Sequence, residues 1–360
     1  MIDMSDSGMG FGGFLLGLGG GWYVFQYLDV SFNIISYILI LIGAGIIINA
    51  LLSQDRRKSP IQGLFGGMVG GLFLALFLTQ GFTIIENIGE GFGNIYTSSY
   101  RAQETRTLTG DVTLESIYLE IDNRNGEITL ETWDQPGYRI DLTLRAKGAT
   151  DAQARDNLNQ LQVRFNDQEA ADTLRLALDL QAPSNDWSNY AVSIAAKVPK
   201  LVGLDLNLDT SNGEIKLTDV TGGEIILHTS NGRLTLDNVR ADTLTGTTSN
   251  GRVAGEVEAT TTDLSTSNGS IEITIPATIS GSYRLGTSNG AVTVKMPKTA
   301  TVGYDVDLRT SLGSVDVDLP NLSYTTNEAR RKVATTIGYP DKAVKVSLTA
   351  ETSIGSVQIN

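Results

Sequence analysis

The residues best placed to do chemistry lie in one stretch, LHTSNGRLTL, at positions 227–236. There the only histidine of the chain, His228, stands beside Thr229, Ser230 and Asn231. Imidazole next to hydroxyls suggests a nucleophile with its base, or part of a metal site. The rest of the chain gives that reading no support. One histidine cannot build a histidine metal cluster, and it leaves little for a catalytic triad. The absence of cysteine excludes a thiolate nucleophile, a thiolate zinc site and a disulfide framework. No carboxylates form a distinctive pair, and no glycine loop has the strand–turn–helix setting of a phosphate cradle. The composition therefore predicts a protein that is not an enzyme and needs no cofactor.

The stretch is also not unique. It recurs as DTSNGEIKL at 209–217, TTSNGRVAG at 247–255, STSNGSIEI at 265–273 and GTSNGAVTV at 286–294. Degenerate copies are RTSLGSVDV at 309–317 and ETSIGSVQI at 351–359, with an early relative, DNRNGEITL, at 122–130. When the copies are aligned, the column of His228 holds Asp209, Thr247, Ser265, Gly286, Arg309 and Glu351. Such variety fits an exposed surface position, so His228 reads as a surface residue. In the five regular copies the turn columns are constant: Asn212-Gly213, Asn231-Gly232, Asn250-Gly251, Asn268-Gly269 and Asn289-Gly290. These residues are expected to form a structural turn ladder, with Asn and Gly tolerating positive φ and the amides bonding from copy to copy. A calcium array would need carboxylates that the turns lack, so no metal is expected.

The elements that carry these turns follow from the period. Motif glycines 213, 232, 251, 269, 290, 313 and 355 recur at about twenty residues, with one double-length step. Two residues after each glycine stand Ile128, Ile215, Leu234, Val253, Ile271, Val292, Val315 and Val357. A second apolar column lies two residues further on, with mostly polar residues between, so each segment is a strand with one buried face. Leu208, Leu227, Leu264, Leu285 and Leu308 form another row before the turn, and Pro276, Pro297 and Pro320 mark a second corner. The pattern predicts a parallel β-helix, a solenoid of about twenty residues per coil. Thr150 with Gln153 forms a capping box ahead of a short helix to Leu161, and 325–334 reads as a second helical insertion. Longer strands are expected over 163–200.

The N-terminal part is different. Residues 1–85 hold three apolar runs, at about 11–28, 34–52 and 61–82, with no Lys, Arg, Asp or Glu inside them. Each has the length of a membrane-crossing helix. The loop between the second and third runs carries Arg56, Arg57 and Lys58, and basic short loops stay cytoplasmic. The sequence thus predicts a multi-pass cell-membrane protein with an α-helical transmembrane region, a linker over 86–110, and an all-β solenoid over 111–360 outside the cytoplasm. The lipid bilayer would be one partner. Gly63, Gly67 and Gly71, with Gly66 and Gly70, could pack transmembrane helices of one chain or of two. A net charge of −13 argues against nucleic acid.

VPKLVGLDLNLDTSNGEIKL (198–217), the serial TSNG copies and the terminal TSIGSVQIN resemble the putative-adhesin "toastrack" β-solenoid family of unknown function, over about 111–360. YILILIGAGIIINALLSQDRRK (37–58) resembles the transmembrane region of Lia-type and phage-shock-associated envelope stress proteins. Together the resemblances imply a non-enzymatic scaffold or sensor of the envelope stress response, with other membrane or envelope proteins as partners. The alternative is a surface adhesin or a self-assembling envelope protein. On that alternative the C-terminal strand 356–360 would be an open solenoid edge through which copies associate.

Overall fold

Strict alternation of apolar and polar residues gives each strand of the repeat one face that must be buried. In a computed structural model, which describes residues 14–16, 18–20, 100–200 and 203–360, these faces meet in one continuous core. The chain divides into two units, Met1–Ser99 and Tyr100–Asn360. In the first, the described residues are helical. Among its described residues the second holds twenty-one strands and one α-helix.

The central coils share one plan. A strand of nine or more residues runs to the Asn-Gly corner, and a short strand follows it. Thus β8 (Gly203–Asn212) leads to β9 (Ile215–Thr218), and β10 (Thr221–Thr229) leads to the start of β11 (Leu234–Asn250). The rest of β11 leads into β12 (Val253–Asn268), which leads to β13 (Ile271–Thr274); β14 (Gly281–Asn289) leads to β15 (Val292–Lys295). Neighbouring coils pair in parallel with equivalent residues opposite, for example Leu227 with Leu208 and Ile271 with Val292. The rows are therefore columns of direct contact. Leu208, Leu234, Leu264, Ile271 and Leu285 have no exposed surface. Burying each such side chain is worth about 1.5–3 kcal/mol. Where the leucine row meets Gly246, a Cβ would stand 2.7 Å from a methyl of Leu264 and 3.1 Å from one of Leu234. The neighbours fill the gap.

Coil order in space departs from coil order in sequence at both ends. The first coil, β2 (Ser116–Asn125) with β3 (Ile128–Trp133), lies between β8/β9 and a later coil, β6 (Thr173–Gln181) with β7 (Tyr190–Pro199). Beyond that coil, β5 (Gln162–Ala170) pairs antiparallel with β6, and β4 (Gly137–Lys147) and β1 (Tyr100–Asp111) continue the other sheet antiparallel. At the far end, β20 (Val344–Ile354) with β21 (Val357–Ile359) is the last coil in sequence. It sits between β14/β15 and the earlier coil β16 (Val302–Leu312) with β17 (Val315–Val317). A hairpin, β18 (Leu322–Asn327) and β19 (Arg331–Thr336), then pairs antiparallel with β16 and closes that end.

Several expectations are corrected. The second unit is a β-solenoid with one short helix, and an α-helical membrane region is not found among the described residues. Among the described residues no helix is long and apolar enough to cross a membrane. The α-helix of the second unit, α1 (Asp151–Gln160), has ten residues and a polar sequence, DAQARDNLNQ. That is a rise of about 15 Å, half of a hydrocarbon layer. The multi-pass membrane location is therefore not retained. The runs at 34–52 and 61–82, Arg56, Arg57, Lys58 and the glycines from Gly63 to Gly71 lie outside the described residues, as does most of 11–28. Strand β1 occupies residues assigned to the linker. Residues 325–334 form parts of β18 and β19 and not a helix. Arg331 to Thr336 carries β-branched residues that pair with β16, and that pairing outweighs the helix-forming Glu328-Ala329-Arg330. The C-terminal strand is not an edge, since β21 is paired on both sides.

Candidate functional site

The corner of each coil is built from three adjacent residues with separate tasks. The asparagine amides bond coil to coil. Asn212 Nδ2 donates to Asn125 Oδ1 at 2.7 Å, Asn231 to Asn212 at 2.9 Å and Asn250 to Asn231 at 2.8 Å. Asn268 donates to Asn250 and Asn289 to Asn268, both at 2.9 Å. Asn125 anchors the ladder by donating to the carbonyls of Trp187 and Tyr190. In the next two coils the column holds Ile354 and Leu312, both exposed.

The glycines are required for space. A Cβ on Gly232 would lie 1.8 Å from the Gly213 carbonyl oxygen, and one on Gly251 the same distance from that of Gly232. Gly213, Gly269 and Gly290 face the same obstacle at 1.9–2.0 Å. Positive φ is not what places asparagine here. The non-glycine residues with positive φ include Asp219, Asn238 and Ala277, which lie at the second corner, and none of the ladder asparagines.

Threonine completes the corner, a role the sequence reading did not assign. Thr229 Oγ1 donates to the Gly213 carbonyl at 3.0 Å, Thr248 to Gly232 at 2.8 Å and Thr266 to Gly251 at 2.9 Å. Thr210, Thr287, Thr310 and Thr352 do the same in their coils, and all seven are buried. In the first coil Asn123 substitutes, donating to the Gly126 and Val192 carbonyls. The signal was present in the sequence as a threonine in every TS copy.

His228 is exposed, and its Nδ1 lies 2.7 Å from Thr247 Oγ1 one coil away. Beneath it in the same column stand Asp209 and Asp122. Burial pushes the Asp209 carboxyl above its usual range; His228 pulls it down, Asp122 adds to the rise and Arg124 opposes it.

The second corner has its own polar ladder. Asn238 Nδ2 donates to Asp219 Oδ1 at 2.7 Å, and Thr132 Oγ1 to the Asp219 carbonyl at 2.6 Å. A hollow of about 380 Å³ opens here, lined by Thr132, Lys200, Asp219, Thr221, Asn238 and Arg240. Arg240 of this lining also pairs with Glu258, which is 3% exposed. Its Oε1 accepts from Thr278 N at 2.6 Å, Thr278 Oγ1 at 2.7 Å and Ile279 N at 3.3 Å, and Arg240 stands 3.4 Å from Oε2. Burial alone would raise this carboxyl, but these partners outweigh it and hold the group below its usual range. With its acceptor sites occupied, Glu258 works as a structural anchor. Among the described residues no group of three or more His, Cys, Asp or Glu is placed to hold a metal ion.

A parallel β-solenoid with a threonine-asparagine-glycine corner, closed at both ends by antiparallel strands, defines the class of protein. Residues 117–359 match the model of the Toastrack DUF4097 family, and the chain belongs to that family. A solved structure described as a putative cell adhesion protein from Clostridium sporogenes is similar at 11% identity, covering 71% of this chain and 99% of that one, with a TM-score of 0.32. One described as a putative adhesin from Bacteroides fragilis is similar at 13% identity, covering 72% and 99%, also with a TM-score of 0.32. No curated protein matches the chain.

Proposed function

We propose that the chain is a surface adhesin or structural envelope protein that binds through its solenoid without catalysis. Membership of the toastrack family supports this reading. A role as a membrane-embedded stress sensor is not retained, because the membrane-spanning architecture on which it rested is not found among the described residues. The observation that carries the proposal is the corner ridge. Coil after coil presents an exposed Ser-Asn pair, as at Ser249-Asn250, Ser267-Asn268 and Ser288-Asn289, held rigid by amides that bond to one another. Strand spacing sets these pairs about 4.8 Å apart. A rigid row of donors and acceptors loses little entropy on binding an extended polar surface, and that is what adhesion asks of a protein. Other envelope proteins or envelope polymers are the partners such a surface fits.

Beads coated with the full chain test the proposal by their retention on bacterial envelope preparations. The comparison is a variant carrying Ser249→Arg, Ser267→Arg and Ser288→Arg, which makes the ridge bulky and cationic. Retention should fall to that of uncoated beads while thermal unfolding is unchanged. Equal retention by both proteins would refute a role for the ridge.

A further inference from the structure

We propose that the last coil, residues 343–360, is an exchangeable segment, and that the slot it fills also accepts the same segment of a second copy of this chain. This inference does not rest on the adhesive reading.

The slot has two walls. On one side Thr352 Oγ1 donates to the Gly290 carbonyl at 2.8 Å and Val292 N to the Ser356 carbonyl at 2.9 Å. On the other, Thr310 Oγ1 donates to the Gly355 carbonyl at 2.8 Å and Val357 N to the Ser314 carbonyl at 2.9 Å. Val346, Leu348, Ala350, Val357 and Ile359 complete the core rows and are at most 1% exposed. Every one of these interactions belongs to a single contiguous segment. Both walls precede the segment in the chain, and the segment is what pairs the coil of β16 and β17 to that of β14 and β15.

The tether is weak by comparison. Residues 337–343 connect β19 to β20 across the start of β16. Ile337 is 67% exposed, and Gly338 has a φ of 74° with nothing within 4 Å of a Cβ position. Lys342 Nζ to the Ala300 carbonyl at 2.8 Å and Ile337 N to the Asn321 carbonyl at 2.9 Å hold it. It crosses over Gly303, where a Cβ would lie 2.8 Å from Lys342 and 2.9 Å from Tyr339. A segment from a second copy would make the same contacts in the slot. Exchange therefore costs little once the segment has left, and protein concentration sets the outcome.

Ser282 of β14 lies directly opposite Ser347 of β20, and the chain has no cysteine of its own. Two full-length variants, Ser282→Cys and Ser347→Cys, carry different tags. They are mixed, unfolded, refolded together at high concentration and oxidised. The proposal expects a disulfide-linked pair bearing both tags to exceed same-tag pairs, and an excess of synthetic peptide 343–360 to abolish it. Mixed-tag pairs no more abundant than same-tag pairs, or pairs unaffected by the peptide, would overturn it. A control variant carrying both cysteines in one chain reports folding, because it links internally when the coil is seated.

Discussion

At Thr229 a buried hydroxyl donates to the Gly213 carbonyl, whereas at Thr262 a buried hydroxyl lies between Leu244 and Tyr283 with no partner. The same substitution should therefore act in opposite directions. Thr229→Val strands a carbonyl at the corner and should lower stability by about 1–3 kcal/mol. Thr262→Val removes an unpaired polar atom at nearly constant volume and should raise stability by about 1 kcal/mol. Urea titrations of the two variants check the signs, and two shifts in one direction would contradict the account. Gly232→Ala places a methyl against the Gly213 carbonyl and should cost about 3 kcal/mol, the upper range of overpacking. At this scale the asparagine and glycine columns were legible because the turn repeats them. The threonine role was not assigned, because its partner belongs to a different coil and only the stacked structure brings the two together.

At the scale of elements, the loop after β13 hangs on one carboxylate. Glu258 binds Thr278 and Ile279 and is held below its usual range. A carboxyl with a depressed folded-state pKa contributes stability that is fully present above its unfolded value, about 4.3, and is lost as pH falls through the folded value. Wild type should therefore lose stability relative to Glu258→Gln on acidification below about pH 4. Melting temperatures of both proteins across that range test this, and parallel curves would remove Glu258 from the account. The rows of the coils and α1, with Gln153 N donating to Thr150 Oγ1, could be read from local pattern. The hairpin at 322–336 could not, because its second strand, β19, pairs with β16, a partner the local pattern does not name. The apolar runs before residue 86 showed length and hydropathy. Neither property establishes membrane-crossing helices among the described residues.

At the scale of the molecule, every coil carries the same apolar rows, so periodicity predicts stacking without predicting order. That is why the sequence pointed to an open C-terminal edge. The structure instead places the first and last coils each one position in from an end. Deleting 356–360 removes a strand paired on both sides, and the expected result is a large loss of cooperative unfolding in circular dichroism. Native-like unfolding of the truncated chain would speak against an interior β21. Disulfide trapping of coil order tests the central claim most directly. Ser282, Ser347 and Asp305 share one column on β14, β20 and β16. Adjacent coils bring such pairs within disulfide reach at about 4.8 Å, and coils two apart hold them at nearly 10 Å, beyond it. The account predicts an internal disulfide in Ser282→Cys/Ser347→Cys and in Asp305→Cys/Ser347→Cys, and none in Ser282→Cys/Asp305→Cys. A disulfide in the last variant would mean that the coils stack in sequence order, and would contradict the account.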